Sequence, residues 1–343
     1  MKQWNGYKKG INLGGWLSQC VHTTEHYDSF IKEKDIETIA DLGFDHIRVP
    51  VDYDLVEDLT GSYRENGFVY IQKAIDWAGQ YGLNMILDLH KTFGFSFDLD
   101  EQEVGFFENE AYQERFYRLW EQFATRFGSY GDRLAFELLN EVTDQSYSAK
   151  WNEISYKCIE RIRAILPEVK ILVGGYWNNS ITSVKDLAVP YDENIIYNFH
   201  CYDPLIFTHQ GASWVRDIPN DFRMKFKTTY GEFKKITDEL ITNLGDRFIS
   251  AGDPNEVIGE KYFENLFEEA LKVAGERDVP LYCGEYGVID KADPADALDW
   301  LTAINKTFLK YDIGRALWSY KKMDFGLMDK RLDAYREDML KVL

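Results

Sequence analysis

A chain of 343 residues, 45% hydrophobic and 15% aromatic, carries enough apolar material for one large core or two small ones, which excludes disorder as a main theme. Its formal charge of -19 repels phosphate backbones and anionic lipid surfaces, so neither nucleic acid nor a membrane is expected as a partner. The apolar stretches are all shorter than the ~20 residues of a membrane-spanning helix.

The first ten residues are not followed by the apolar run of ~7 to 15 residues that a secretory signal requires. We therefore expect either a cytoplasmic protein or a secreted one whose signal has been removed. The four cysteines are too far apart along the chain to suggest a metal site or a disulfide scaffold, so buried free thiols are the better interpretation. We expect no metal, no cofactor and a monomer.

Short apolar runs rich in β-favouring residues alternate with amphipathic segments along the whole chain, which is typical of βα units around a parallel sheet. The predicted strands are 9–13, 44–49, 83–89, 134–139, 169–174, 194–200, 279–285 and 313–318. The predicted helices are 32–42, 68–81, 111–127, 148–166, 261–277 and 294–309, with a shorter segment after Ser180 and a C-terminal one at 332–343.

Eight strands and close to eight helices predict an α/β fold, a (β/α)8 TIM barrel, formed as a single domain over residues 1–343. The barrel needs only ~250 residues, and the surplus lies mainly at 203–259, between the sixth strand and its helix. Because a structureless loop of that length would be unusual, we predict a small helical subdomain inserted there, beside the active face.

Polar side chains occur at the ends of six of the predicted strands, where the catalytic groups of such barrels lie. They stand in the segments IRVP, LDLH, FELLNE, NFHCYD, YCGEYG and ALWSY, which begin at residues 47, 87, 136, 198, 282 and 316. Two of these segments place a glutamate, Glu141 or Glu285, where burial would raise its pKa unless partners hold it charged.

Two carboxyl groups facing one another across a barrel mouth suit glycoside hydrolysis, in which one protonates the leaving oxygen and the other attacks or activates water. The sequence contains no GxxxxGK phosphate loop, no HExxH zinc helix and no GxSxG elbow. A glycoside hydrolase is therefore the class of enzyme that the strand ends favour.

The segment LAFELLNEVT at 134–143 resembles the signature of glycoside hydrolase family 5, the cellulase family. The resemblance extends from KGINLGGW at 9–16 to ALWSYKKMDF at 316–325, and is greatest to bacterial endoglucanases with a subdomain inserted after the sixth strand. Counterparts of the eight characteristic active-site residues of that family are Arg48, His90, Asn140, Glu141, His200, Tyr202, Glu285 and Trp318.

The resemblance implies a role for each of these residues. Glu141 would be the acid and base catalyst and Glu285 the nucleophile, with Arg48 and Tyr202 holding Glu285 ionised and oriented. The other four would contact or orient the sugar and its neighbours: Asn140 on the 2-hydroxyl, His90 and His200 on nearby groups, and Trp318 as an apolar floor.

Further substrate contacts are expected from aromatic and amide side chains near the strand ends, although we expect about half of the aromatic ones to be ordinary packing. These candidates are Trp16, Phe93, Tyr176, Trp177, Asn178, Asn179, Phe207, Trp214 and Tyr320. One departure from the family concerns the residue after His90, which is often His or Asn and here is Lys91. It puts the contacts of the minus-side subsites in question, but not hydrolysis.

The leading hypothesis is a retaining endo-β-1,4-glucanase that acts on cellulose-type and mixed-linkage β-1,3-1,4 glucan polysaccharides or oligosaccharides. Alternatives on the same site are an exo-acting β-glucosidase or β-1,3-glucanase, or a β-mannanase. A non-catalytic carbohydrate-binding barrel is disfavoured because both carboxylates are present. A metal-dependent barrel hydrolase would need ligands from several strand ends that this sequence does not pair.

Overall fold

The computed structural model describes residues 1–98, 101, 103–241 and 253–343. Eight parallel strands pair in chain order and close into a barrel, which confirms the predicted (β/α)8 fold. The strands are β1 Lys9–Asn12, β2 His46–Asp52, β3 Asn84–Lys91, β4 Leu134–Glu137, β5 Lys170–Gly174, β6 Ile195–Cys201, β7 Leu281–Tyr286 and β8 Gly314–Leu317.

Helices cover the outside of the barrel at the predicted places, with short additional helices in the loops. They are α1 Thr24–Phe30, α2 Glu33–Asp41, α3 Tyr53–Val56, α4 Glu65–Gln80, α5 Glu110–Phe127, α6 Ser148–Arg163, α7 Tyr176–Asn179, α8 Leu205–Thr208, α9 Tyr230–Leu240, α10 Glu260–Glu276, α11 Pro294–Tyr311 and α12 Arg336–Val342. The segment after Ser180 forms a 3-10 helix, Ile181–Asp186. Within the described ranges no helix is both long and apolar enough to cross a bilayer.

The long helices begin and end where their sequences provide the right chemistry. The carboxylate of Asp293 accepts a hydrogen bond from the backbone of Ala295 at the start of α11, and Pro294 occupies the first turn, where its missing N–H costs nothing. The same helix ends at Asp312, which has a left-handed backbone (φ 55°). These ends fix how far α11 runs along the barrel.

Each barrel strand is buried on both faces, which explains its nearly continuous apolar sequence. In β3, Met85, Leu87 and Leu89 pack outward against the helices, whereas Ile86 points into the barrel beside Leu172 of β5 and Ile196 of β6. The alternation of faces continues along the strand, so Asp88 and then His90 also face inward, nearer its C-terminal end. Sequence periodicity therefore determines which residues reach the barrel mouth.

Two helices, α8 and α9, and long irregular segments occupy the described part of the predicted insertion at 203–259. Phe207 of α8 is fully buried and packs against Phe226, and Phe233 of α9 is also buried. These aromatic side chains belong to the same apolar cluster as the barrel and its outer helices. Residues 242–252, which fall within this prediction, lie outside the described residues.

Candidate active site

The eight residues expected to form the active site converge at the C-terminal mouth of the barrel. They come from six strands or the loops directly after them: Arg48, His90, His200 and Glu285 lie on β2, β3, β6 and β7, and Asn140, Glu141, Tyr202 and Trp318 follow β4, β6 and β8. Side chains far apart in the sequence are brought together because all parallel strands end on one face.

Glu141 and Glu285 face one another across the mouth. One carboxylate oxygen of each, together with a ring nitrogen of His200, all lie within 4.8 Å of one another. The two glutamate side chains are only 12% and 6% exposed. Retaining glycosidases place their two carboxyl groups about 5 to 5.5 Å apart, whereas inverting enzymes need roughly 6.5 to 9.5 Å to admit a water. The separation therefore fits direct attack on the sugar by one carboxylate.

Arg48 is completely buried and holds three carboxylates around its guanidinium group. It donates to both oxygens of Glu137 (2.7 and 2.8 Å) and to Oε1 of Glu285 (2.7 Å), and its Nη2 lies 3.0 Å from Asp88. Burial raises the pKa of Asp88 to about 7, and burial also raises the pKa of Glu137, while the arginine charge opposes both shifts. One cation thus organises most of the buried negative charge.

Asparagine side chains hydrogen-bond to several other groups of this network. Arg48 donates to the side-chain oxygens of Asn12 and Asn140, both at 2.9 Å. Asn198 donates to Glu137 at 2.7 Å and accepts from the backbone N–H of Gly284 at 2.9 Å. Such cross-strand bonds fix the guanidinium in one orientation, because a buried polar network is stable only when its members are paired.

Both oxygens of Glu285 receive hydrogen bonds from donors that belong to other strands. Arg48 occupies Oε1, and the hydroxyl of Tyr202 donates to Oε2 at 3.0 Å. Charge-assisted bonds of this kind are short and directional, so they orient the carboxylate toward the cleft.

Glu141 lies in a different environment from Glu285. Its Oε1 is 2.8 Å from Nδ1 of His200, and its Oε2 accepts a hydrogen bond from the amide of Asn178 at 3.0 Å. Burial raises the pKa of Glu141 to about 7, a shift that the Asn178 bond opposes, and burial lowers the pKa of His200 to about 4. Near neutral pH Glu141 can therefore hold or release a proton while its histidine neighbour stays uncharged.

His90 and Trp318 form one wall of the mouth. Nδ1 of His90 is 2.5 Å from Asp88, and the imidazole stacks parallel to the Trp318 indole with ring centroids 5.8 Å apart. The edge of Phe97, from the loop after β3, packs on the same imidazole at 4.8 Å. The backbone at Gly14 approaches the indole so closely that a Cβ there would lie 2.8 Å from it. The rings of this wall are thus held by packing on several sides.

The structure buries four of the predicted substrate contacts against other side chains, and their roles in substrate binding stay predictions. Trp16 is fully buried against Trp77, and Phe207 lies in the core of the insertion. The hydroxyls of Tyr176 and Tyr320 bond to Asp186 and Asp35 respectively, with 2% and 4% of the residue exposed. The sequence shows an aromatic residue near a strand end but not the direction of its ring.

The other predicted contacts are accessible to different degrees. Asn178 touches Glu141, and Trp214 is 45% exposed beside His209, whose ring packs on Tyr202. Trp177 and Phe93 are half-buried; Phe93 lies under the guanidinium of Arg115 at 3.9 Å. Their roles in substrate binding stay predictions.

Lys91, where the sequence departs from the family pattern, ties down the loop that follows β3. Its ammonium lies 2.9 Å from Asp98 and 2.5 Å from Glu101, and in the strand register it pairs with Asp52 of β2. The side chain is only 6% exposed. The residue at this position therefore anchors the loop after β3 through two ion pairs.

Sequence reasoning missed three residues of the polar network, namely Asn12, Glu137 and Asn198. All three are fully buried and face the barrel interior within or at the end of apolar strands. Polar residues at inward positions of otherwise apolar runs were the available signal. That signal was visible in FELLNE and NFHCYD, where only the strand-end residues had been considered.

A closed barrel with two facing carboxyl groups at its mouth is the arrangement of a glycoside hydrolase. The family model "Cellulase (glycosyl hydrolase family 5)" matches residues 5–324. The chain belongs to this family, and it is therefore an enzyme and not a non-catalytic binding barrel.

Named relatives agree with this assignment. The chain is 49% identical to Cellodextrinase A of Ruminococcus flavefaciens over 310 residues, 90% of this chain and 84% of the relative. It is 36% identical to Endoglucanase C of Acetivibrio thermocellus over 343 residues, 98% of each chain. Among solved structures, the endoglucanase Cel5A of Thermotoga maritima superposes with a TM-score of 0.76 at 26% identity, covering 98% of this chain and 97% of the other.

Proposed function

We propose that this chain is a retaining endo-β-1,4-glucanase that cleaves cellulose-type and mixed-linkage β-glucan, with Glu285 as nucleophile and Glu141 as acid and base catalyst. The relatives named an endoglucanase and a cellodextrinase support a β-1,4-glucan substrate. The mechanism rests on one observation: a carboxylate oxygen of Glu141 and one of Glu285 lie within 4.8 Å of each other and of a ring nitrogen of His200.

The surroundings of the two glutamates support different roles. Glu285 accepts bonds from Arg48 and Tyr202, which stabilise a carboxylate ready to attack the anomeric carbon. Glu141, with its pKa raised to about 7 by burial, can protonate the glycosidic oxygen and later take a proton from water. Two facing carboxyl groups with such different surroundings are typical of the acid and the nucleophile in double displacement.

Two further groups support contacts with the sugar at the cleavage point. The Nδ2 amide of Asn140 is buried and, within the described residues, has no hydrogen-bond partner, although its oxygen accepts from Arg48. A sugar hydroxyl would supply the missing acceptor. The indole of Trp318, braced by His90, provides an apolar surface for the C–H face of a pyranose.

A second candidate is activity restricted to short soluble oligosaccharides, and the 49% identity to a protein named cellodextrinase favours it. The chemistry would be the same, and only the number of sugar units held in the cleft would differ. Exo-acting cleavage belongs to the same group of alternatives, because a cleft closed at one end releases small products.

Product analysis on defined substrates tests the proposal. Purified protein is incubated with carboxymethylcellulose, barley mixed-linkage glucan, β-mannan and cellodextrins of two to six units, and anomers are followed by NMR. We expect β-anomers first and a rapid fall in polymer viscosity. Products dominated by glucose would favour exo action, turnover of cellodextrins alone would favour the second candidate, and α-anomers first would refute a retaining mechanism.

Glu141, His200 and Glu285 are also spaced so that they could hold a metal ion. An additional incubation with EDTA separates a metal-dependent reaction from the double displacement proposed. We expect the rate to be unchanged, and loss of activity that added zinc or manganese restores would contradict the assigned roles of both glutamates.

A further inference from the structure

The chain after β5 makes an unusual turn directly beside Glu141. Three consecutive residues, Trp177, Asn178 and Asn179, have left-handed backbones with φ of 52°, 57° and 55°. Asparagine tolerates this region better than most residues, but any non-glycine residue there is strained. Strained backbone persists where the surrounding structure imposes it, and such sites are often functional.

The turn directs two successive amide groups at one proton-transfer site. Asn178 donates to Oε2 of Glu141 at 3.0 Å, as described above. Asn179 is fully buried, and its amide nitrogen Nδ2 lies 3.4 Å from Nε2 of His200. The other nitrogen of that imidazole, Nδ1, is 2.8 Å from Oε1 of Glu141. Asn179, His200 and Glu141 thus form a chain of contacts.

Two glycines leave the space that this chain of contacts requires. A Cβ at Gly174, the last residue of β5, would lie 2.2 Å from Oδ1 of Asn179. A Cβ at Gly284 would lie 3.1 Å from Nε2 of His200. Any side chain at position 174 would displace the amide, so the contact between Asn179 and His200 depends on the lack of one.

The position of the amide determines where a neutral imidazole carries its proton. An amide NH2 group donates, so with Nδ2 of Asn179 facing it, Nε2 of His200 accepts and the proton is placed on Nδ1. His200 is neutral because burial lowers its pKa to about 4. The charged or titratable groups around it are Glu141, Glu285, Arg48, Glu137 and His90.

We propose that Asn179 is a positioning residue: it fixes the proton of His200 on Nδ1 and so directs the acidic proton of Glu141 to Oε2. Nδ1–H donates to Oε1 at 2.8 Å, a shorter bond than the 3.0 Å bond from Asn178 to Oε2, so Oε1 acts as the carbonyl acceptor. Oε2 then carries the proton, and its remaining lone pair still accepts from Asn178. In the step that follows, the O–H bond at Oε2 breaks and its electron pair stays on the carboxylate. The proton bonds to the glycosidic oxygen, which leaves with the electrons of the broken C–O bond. The inference rests on the function proposed above.

The tautomer can be measured directly in the wild-type protein. Long-range 15N–1H NMR on protein labelled in histidine distinguishes a protonated Nδ1 from a protonated Nε2, and a His200→Gln sample assigns the signals. We expect His200 as the Nδ1–H tautomer at pH 6 to 7. An Nε2–H tautomer, or an imidazolium in that range, would overturn the proposal even if no variant of Asn179 folds.

Two substitutions test the consequence for catalysis. Asn179→Leu removes the donor at similar size, and Asn179→Asp replaces it with an acceptor that draws the proton to Nε2. Oligosaccharide cleavage needs the acid, so we expect kcat/KM on cellotetraose to fall roughly 10- to 100-fold, part of the gain that acid catalysis supplies. From a dinitrophenyl cellobioside the leaving group, dinitrophenolate, departs without protonation. The kcat/KM on this substrate should therefore fall much less.

Asn152→Asp, on α6 and bonded to the backbone of Asp186 outside the barrel, is the matched control. We expect it to behave as the wild type on both substrates. Equal losses on both substrates in the Asn179 variants would show a merely structural role and refute the inference. If instead the wild type cleaves neither substrate, the proposed function fails and not the positioning role.

Discussion

The lower and upper halves of the barrel interior are built on the same strands and are equally closed to solvent, yet they differ completely in chemistry. The lower half is an apolar cluster of Trp4, Tyr7, Ile86, Ala135, Leu172, Ile196, Tyr282 and Ala316. The upper half, two residues further along several strands, holds Arg48, Asp88, Glu137 and Asn198. On β3, β4 and β6, one inward position thus belongs to the apolar cluster and the next one to the polar network.

Substitutions in the two halves should also have different effects on stability and activity. An apolar residue removed from the lower half leaves a cavity, and the cost follows its volume. A charge removed from the upper half leaves its partners buried with less compensation, because Glu137, Asp88 and Glu285 all share the charge of Arg48. The first kind of change should lower stability alone, whereas the second should lower stability and activity together.

The largest effect is expected for Glu285→Gln in the upper half. The amide keeps the size of the side chain but cannot attack the anomeric carbon, so kcat on cellotetraose should fall by at least roughly 10⁴-fold. Initial-rate assays measure it, and circular dichroism checks the fold. Glu269→Gln, on the surface of α10, is the control and should be fully active. Residual activity above a few per cent, after contaminating wild type is excluded, would assign the nucleophile elsewhere.

Arg48→Met removes the cation that the upper half shares. Three buried carboxylates would lose their common partner, which we expect to cost about 3 to 5 kcal/mol of unfolding free energy and most of the activity. Chemical denaturation measures the first and kcat the second. Arg161→Met is the control, since its ion pairs with Glu114 and Glu121 lie at the surface and should contribute about 1 kcal/mol or less. Equal stability changes in both variants would contradict the role of Arg48 as the shared partner of three buried carboxylates.

The division between the halves also explains how much the sequence could reveal. The apolar runs located all eight strands, since a parallel strand buried on both faces must be apolar over most of its length. The polar residues at strand ends pointed to the two glutamates proposed as the catalytic pair, because they interrupt such runs. Glu137 and Asn198 were not predicted because they lie inside apolar runs. There, only the alternation of faces along the strand distinguishes a residue that points into the barrel from one that points outward.

Aromatic side chains were the least predictable part of the site. Trp16, Phe207, Tyr176 and Tyr320 lie near strand ends, as substrate platforms would, but their rings turn into packing. Loop backbone decides that direction, and a sequence does not give loop conformation. The contacts of Asn179 were equally hidden, since they depend on a left-handed turn and on the missing side chain of Gly174.

A substitution in the lower half should separate stability from activity. Leu172→Ala removes a fully buried side chain from the apolar cluster, and we expect a loss of about 2 to 5 kcal/mol in unfolding free energy. At 25 °C, well below unfolding, kcat/KM should stay close to the wild-type value, because the substitution removes no side-chain hydrogen bond of the polar network. A large fall in kcat/KM with the fold intact would show that the two halves are mechanically coupled.

The smallest effect is the pH dependence that the upper half imposes. Glu141 must be protonated to act as acid, and its pKa lies at about 7 because burial disfavours the charged form. The kcat/KM for cellotetraose should therefore level off just below that value and fall about tenfold per pH unit above it. His90, Arg48 and Asp98 also act on this carboxyl electrostatically, and burial gives Asp88 a pKa of about 7 as well.

The contribution of Glu141 can be isolated from that of Asp88 with Glu141→Gln and dinitrophenyl cellobioside, a substrate that needs no acid. If Glu141 sets the alkaline limb, kcat/KM of this variant should not fall between pH 6 and 8. An alkaline limb that persists in the variant would instead place the titrating proton on Asp88, which touches Arg48 and His90. The proton that matters would then belong to the network beneath the catalytic pair and not to the pair itself.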